Sequence, residues 1–418
     1  CTLSGEGAGQ QKIHYRPLDY RPIGYESEDF VHLVIIGMSK MGEALAVEAA
    51  HVAHFPNFVR DRRKRTRITF VDSRAREGME CFRQAYAALF DLSHSTYLDA
   101  ASGRAEHSAP LEKYRFLGED FIDIEWQFVE GRVESDAVRR LLVRWAEEEH
   151  ALLTLAVCLN LTHQSIATAL YLPESLRARG IPVLVQQRIT SAIIDNLSAP
   201  SGSGGGGGRF AHLRPFGMVG ECLTLDGTLD ERAMRVNFVY NHAPDVASAL
   251  AAATAGQAEQ EWEALRSGQV VKQWSNLYHA SSIPAKLRSL GLCEEDLKAL
   301  AVLPEEQAQL LAEVEHNRWN VEELLLGYRP FNEAEEAEYE KLKGKSGKAP
   351  ALSGKSGSGN PQKDYKKRKK EAEFAHSDIR EYRQVAPESR LYDVAVSRYL
   401  PYIVTGRPQP LAETCKTR

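Results

Sequence analysis

The stretch HLVIIGMSKMGEALA, residues 32 to 46, constrains this chain more than any other. An apolar run stops at a glycine, a serine and a second glycine follow, and a helix-like tail comes next. Branched aliphatics ending abruptly in glycine read as a buried strand that turns into a helix. Gly37, Ser39 and Gly42 occupy the three places of G-x-G-x-x-G, with serine in the middle. The first glycine permits a sharp turn and the last lets helix and strand pack closely. Between them, N–H groups at the helix N-terminus face a pyrophosphate. Gly37, Met38, Ser39, Lys40, Met41 and Gly42 are therefore a candidate nucleotide cradle. The plainer alternative is a turn in which the glycines serve packing alone.

The next strand supplies a check. Asp72 closes ITFVD, ahead of Ser73, at the place where a carboxylate accepts from ribose hydroxyls. The basic loop FVRDRRKRT sets it further from the glycines than in a minimal dinucleotide fold. The alternation then continues: strands in FIDIEWQFVEG, HALLTLAVCLN and IPVLVQQ, with helices in SDAVRRLLVRWAEEE and HQSIATALYLPESLRARG. RFAHLRPFGMVGECLTLD has strand character, after a flexible SGSGGGGG linker. Strand-helix alternation of this kind predicts an α/β domain over 31–229, a Rossmann-like parallel sheet with helices on both faces. Residues 1–30, punctuated by Gly and Pro, read as an extended arm.

From about Asp230 the chain becomes helix-rich: a helical connection over 230–271, then a mainly α-helical domain over 272–404 and a tail over 405–418. Helices are expected in ERAMRVNFVYNHAPDVASALAAATAGQAEQEWEALRSG, VVKQWSNLYHASSIPAKLRSLG, CEEDLKALAVL and EEQAQLLAEVEHNRWNVEELLLG. A Gly/Ser/Lys-rich stretch at about 341–370 interrupts this part and reads as a disordered insertion. Its KKRKK run reads as a solvated loop, since no aromatic interleaves with it.

Composition narrows the classes. The 418 residues are 43% hydrophobic and 26% charged, with a net charge of -5, so nothing points to nucleic acid as partner. Six cysteines occur singly and read as reduced, buried residues of a cytoplasmic protein. No apolar run approaches the ~18 residues of a membrane helix.

The N-terminal half resembles the TrkA-type N-terminal domain, or RCK domain, the nucleotide-binding Rossmann unit of potassium-channel and transporter regulators. GMSKMG at 37–42 carries the likeness, together with FVEGRVESDAVRRLL at 128–142, which has Glu130 and Gly131 at its turn. LLTLAVCLN at 152–160 is similar to that family's fourth strand, which ends near the ligand and here places Asn160. The likeness covers roughly 31–190 and departs from the pattern at Ser39 and in a long insertion over 77–120. It implies NAD or another adenine nucleotide as ligand and a homo-oligomer. It also implies potassium ion transport as the setting, at the inner face of the membrane, with a channel segment upstream of Cys1.

A second likeness lies further on. In EVEHNRWNVEELLLGYRP, 313–330, His316, Trp319 and Glu323 share a helix face. Joined by HSDIREY and YDVAVSRYLPYIV, this resembles the ryanodine-receptor repeat (RyR) domain, over about 272–404. The resemblance places His316, Trp319, Arg329, His376 and Tyr392 around a pocket. An aromatic face, a guanidinium and two imidazoles suit a purine-phosphate ligand. A protein-interaction module with these residues in its core is the alternative.

Catalytic signatures are wanting. There is no G-x-S-x-G, and GKS at 344–346 and 354–356 has no strand before it. His51 and His54 are three apart, but no third metal ligand is placed beside them. The expectation is a cytoplasmic nucleotide-sensing regulatory protein, or the regulatory portion of an ion channel or transporter. The alternatives are an NAD(P)-dependent oxidoreductase or nucleotide-processing enzyme, and a protein-interaction scaffold.

Overall fold

The computed structural model describes residues 15–187, 210, 212–218, 227–343 and 360–407. Eight strands share one sheet: β1 Phe30–Ile36, β2 Thr66–Asp72, β3 Ser95–Asp99, β4 Ala105–Ser108, β5 Ile124–Glu130, β6 Ala151–Val157, β7 Val183–Gln186 and β8 Leu213–Phe216. Their order is β4-β3-β5-β2-β1-β6-β7-β8, and every neighbouring pair is parallel except β3 with β4. Without the β3–β4 pair this is the order of a doubly wound dinucleotide-binding sheet, and the winding reverses between β1 and β6. The fold is the expected Rossmann-like α/β one. The 77–120 insertion contributes β3 and β4, which widen the sheet beyond β5.

Burial on both faces explains why the strands read as unbroken apolar runs: every residue of β6 is buried. Helices α1 Lys40–Val52 and α3 Ala75–Ala85 cover one face, over a core of Leu33, Ile35, Ile68 and Phe70. Helices α5 Asp136–Glu147, α6 Thr162–Leu170 and α7 Glu174–Ala178 cover the other, through Val138, Leu142, Trp145, Ile166 and Leu176. The single helix expected over 163–180 is two. Pro173 stands at the N-cap of α7, where it cannot continue α6. Short helices α2 Asn57–Arg60 and α4 Ala87–Phe90 complete this part.

The C-terminal part holds α8 Thr228–His242, α9 Val246–Ala252, α10 Gln257–Arg266, α11 Val270–Ser289, α12 Glu305–Leu325, α13 Glu333–Lys341, α14 Pro361–Glu373, α15 Pro387–Arg398 and α16 Leu400–Thr405. CEEDLKALAVL forms only a 3-10 turn, Asp296–Ala299. A two-stranded pairing, β9 Arg329–Pro330 with β10 Ala375–His376, ties the two sides of the Gly/Ser/Lys-rich stretch. The expectation of disorder there is corrected for 361–370. Asn360 caps the N–H groups of Gln362 and Lys363, Pro361 takes the first turn, and α14 continues from it. Three of its four KKRKK lysines are anchored: Lys366 to Asp378, Lys369 to Glu335 at 3.0 Å and Lys370 to Glu323 at 3.4 Å. Residues 344–359 lie outside the described residues, as do 1–14, 408–418 and the SGSGGGGG linker.

The helical part is fused to the sheet. Val321 and Leu324 of α12 are fully buried in the same core as Leu33, Ile35 and Phe70. Side chains of this size contribute about 1.5–3 kcal/mol each on burial. The arm adds a clasp, since Asp19 accepts two bonds from Arg288 at 2.6 and 2.7 Å and Ile23 is buried.

Candidate functional site

The glycine turn lies at the carboxyl ends of β1, β2 and β6. Gly37 has φ +101°, a conformation open to glycine, and a Cβ there would come within 2.7 Å of the Cys158 carbonyl oxygen. A Cβ on Gly42 would lie 2.5 Å from the Gly37 carbonyl oxygen and 3.1 Å from Ile35. Both glycines are therefore required by geometry, one for the turn and one for the approach of α1 to β1.

Hydrogen bonds level the strand ends. Gly37 N–H donates to Val71 O (2.9 Å), Gly131 N–H to Asp72 O (2.9 Å) and Cys158 N–H to Ile36 O (2.8 Å). The Asp72 carboxylate braces the turn. One oxygen accepts from Met38 N–H at 3.0 Å and the other from Arg74 N–H at 2.9 Å. Each oxygen keeps a second lone pair for a ribose hydroxyl.

Ser39 is the N-cap of α1, and its Oγ accepts from Gly42 N–H at 3.2 Å. Lys40 and Met41, as the first two residues of the helix, have no acceptor one turn back for their N–H groups. With the helix dipole, these amides favour an anion. Lys40 extends into solvent and pairs with Glu43 at 2.9 Å. Glu130 accepts from Arg76 N–H at 2.8 Å, a contact that no sequence motif signalled. Ser73 and Asn160 are exposed at the ends of β2 and β6. Cys158 lies beneath the turn, and burial pushes its thiol up to about 12, so it is a neutral packing group. The structure thus brings the expected residues Gly37 to Gly42, Asp72, Ser73, Glu130, Gly131 and Asn160 to one edge of the sheet.

In the helical part three of the five expected residues meet. The Trp319 ring lies 5.5 Å from His316 and 4.9 Å from His376. Their polar atoms already serve the fold. His316 Nδ1 faces Asp393 at 3.2 Å and its Nε2 faces the Arg380 carbonyl at 3.1 Å, while His376 Nδ1 accepts from Asp378 N–H. Arg329 stands in β9 and donates to both oxygens of Glu335 at 2.7 and 2.9 Å. Tyr392 is not in the group; its half-exposed ring stacks on Tyr240, and α15 turns Asp393 towards His316 instead.

Sequence reasoning missed a buried ionic network between α11 and α12. Glu315 binds Lys286 and accepts from Arg318 at 2.8 and 3.0 Å; Arg318 also donates to Glu322 at 2.6 Å. Burial alone would raise the Glu315 carboxyl, yet Arg318, His279 and Lys286 hold it well below its ordinary range. Burial pushes His279 down to about 4. The acid, base and polar letters of EHNRWNVEE look solvated in sequence, and only helix packing puts them inside.

The two histidines of α1 and its end, His51 and His54, are core residues. His54 Nδ1 is 2.9 Å from both oxygens of Asp123, and its Nε2 is 2.8 Å from the Ala50 carbonyl. Among the described residues no group of three or more His, Cys, Asp or Glu side chains is arranged to hold a metal ion. No helix among them is long and apolar enough to cross a membrane.

Sheet order and glycine turn together define a doubly wound, Rossmann-type α/β protein with a fused helical part. Compared with known proteins, the chain matches no family model, no curated protein and no solved structure.

Proposed function

We propose that this chain is a nucleotide-responsive regulatory protein that takes NAD or another adenine nucleotide at the N-terminus of α1. One observation carries the reading: the Gly37–Gly42 turn presents free helix amides at the point where the sheet order reverses, with Asp72 alongside. The helical part supports regulation. Helices α11 and α12 pack along α1, so a ligand-dependent shift of α1 reaches them directly. The Trp319 cluster is the lesser candidate, because its imidazoles and Arg329 are already bonded within the protein. By its resemblance to RCK-type regulators the protein acts in the cytoplasm as a homo-oligomer, with ion-channel or transporter gating as output.

The test is thermal stability of the full chain with NAD, NADH, ADP-ribose, ATP, ADP and AMP. A ligand at a hundred times its Kd stabilises by about 2.7 kcal/mol. The expected shift is lost in Gly37→Asp and kept in Trp319→Ala. Loss only in Trp319→Ala moves the site to the helical part, and no shift with any nucleotide sinks the proposal. Turnover of the bound nucleotide in the same sample would replace regulation with enzymatic activity.

A further inference from the structure

Helix α14 ends on a residue that neither the backbone nor the core asks for. Phe374 is its C-cap, in the left-handed region at φ 50° and ψ 36°, with its N–H bonded to Lys369 O. Glycine favours that place, and a bulky side chain there is strained. Among the described residues Asp120 is the only other non-glycine with positive φ, and short acidic side chains tolerate the region. Arg329 N–H fixes the Phe374 backbone by donating to its carbonyl oxygen at 2.8 Å. The ring gains little burial in return. It is 55% exposed and meets the Tyr328 ring, with centroids 5.5 Å apart. Leu326, which precedes Tyr328 across Gly327, is 41% exposed. Apolar groups that gather on a surface mark places of interaction.

A line of cations leads to this corner. Lys363, Lys367 and Lys370 recur at helical spacing along α14, and Phe374 ends the same face about 16 Å from Lys363. Lys363 makes no ion pair among the described residues. Lys367 meets Glu371 only at 3.9 Å, and 72% of its side chain is exposed. Lys370 Nζ stands 5.1 Å from the centre of the Tyr328 ring. Its counter-ion Glu323 cancels only part of that charge at neutral pH, since burial pushes the Glu323 carboxyl up to about 7.

We infer that this corner docks an acidic segment of a partner protein. An apolar side chain of the segment packs on Phe374 and Tyr328, and its carboxylates lie along Lys370, Lys367 and Lys363. The inference stands independently of the nucleotide reading. On a chain of net charge -5 this stripe is a local reversal of sign, which selects an anionic partner. The aromatic corner supplies the anchor around which such contacts are built. An anionic membrane fits less well. Glu371 and Glu373 flank the stripe, with 67% and 43% of their side chains exposed, and would face headgroups of like sign. A peptide can set a neutral residue opposite them, which a charged bilayer cannot. A single projecting ring also buries little area in a bilayer.

Fluorescence anisotropy of the full chain with a labelled peptide, glutamates around a central Leu-Phe pair, tests this. The expected result is saturable binding that added salt weakens. Binding should be at least about tenfold weaker in Phe374→Gly, and likewise in the double variant Lys363→Glu with Lys367→Glu. Phe374→Gly should melt no lower than the wild type, because glycine suits the left-handed cap. A clearly lower melting temperature would assign the ring to the fold and overturn the inference. Failure of the wild type to bind the peptide, or equal binding by both variants, overturns it too. If the same peptide with glutamines in place of glutamates binds equally well, charge plays no part and the acidic class is wrong. Cosedimentation with phosphatidylserine–phosphatidylcholine vesicles, without peptide binding, would replace the protein partner by a membrane. Should Phe374→Gly fold poorly, the lysine variant, altered only at exposed side chains, still decides.

Discussion

His51 of α1 and Tyr278 of α11 stack face to face, with ring centroids 3.8 Å apart and planes 9° from parallel. The contact joins the helix after the glycine turn to the helical part. Burial, with smaller contributions from Arg318 and His54, pushes the imidazole down to about 3. The folded protein therefore prefers His51 neutral. This preference contributes stability in full above the unfolded value of about 6.5, and the contribution is lost as pH falls from there towards 3. His51→Phe keeps an aromatic face and removes the proton uptake. Urea unfolding at pH 7.5 and 5 should show a stability loss smaller in the variant, by up to about 1.4 kcal/mol per pH unit. Parallel losses in the two proteins would show that His51 does not titrate in this way.

Glu323 behaves in the opposite sense. Burial pushes its carboxyl up to about 7, against the opposing pull of Lys370, which lies 3.4 Å away. The folded state therefore holds a proton that the unfolded state releases near 4.5. Stability falls as pH rises from about 4.5 to 7, by a few kcal/mol at most. Glu323→Gln should match the wild type near pH 4.5 and exceed it at pH 8. A variant that is less stable at pH 8 would mean that the Lys370 ion pair outweighs the burial of charge.

Arg318 has no freedom to be lost. It is fully buried and serves both Glu315 and Glu322. Arg318→Met leaves two carboxylates facing one lysine and should destabilise by about 3–5 kcal/mol in chemical denaturation. Replacing the ionic group as a whole, with Glu315→Leu, Lys286→Met, Arg318→Met and Glu322→Leu together, should recover much of that loss. A quadruple variant no more stable than the single one would assign the network a role beyond charge compensation.

Two glycines near the cradle should respond differently. Gly42→Ala drives a methyl into the Gly37 carbonyl oxygen, a backbone atom that cannot yield without opening the turn. A loss of about 1–3 kcal/mol and of nucleotide stabilisation is expected in thermal unfolding. At Gly78 an added Cβ meets the Met38 sulfur at 2.5 Å, the far part of a flexible side chain. Gly78→Ala should stay within about 1 kcal/mol of wild type in the same measurement. Equal effects would place the Gly42 constraint elsewhere than the turn.

Local patterns determined much of the sheet. Runs such as HLVIIG and HALLTLAVCLN are apolar throughout because both faces of a parallel sheet are covered, and their ends are marked by glycine or polar residues. Gly37, Gly42 and Asp72 were legible for the same reason, since a tight strand-to-helix turn leaves few residue choices. Features that depend on packing between distant parts of the chain were not legible. The KKRKK stretch reads as loop by composition, yet three of its four lysines meet Asp378, Glu335 and Glu323, brought in beside β10 and by α13 and α12, and α14 forms there. His316 and Trp319 could be paired by helix spacing, but only the tertiary structure decided that Asp393 and not Tyr392 completes their surroundings. The charges of α12 look solvated one by one; their partners Lys286 and His279 come from another helix. Periodicity and turn chemistry act within a few residues, so sequence by itself determined six of the eight strands of the sheet, many of the helices and the glycine turn. Which polar groups are buried, and beside what, depends on the whole chain closing around them.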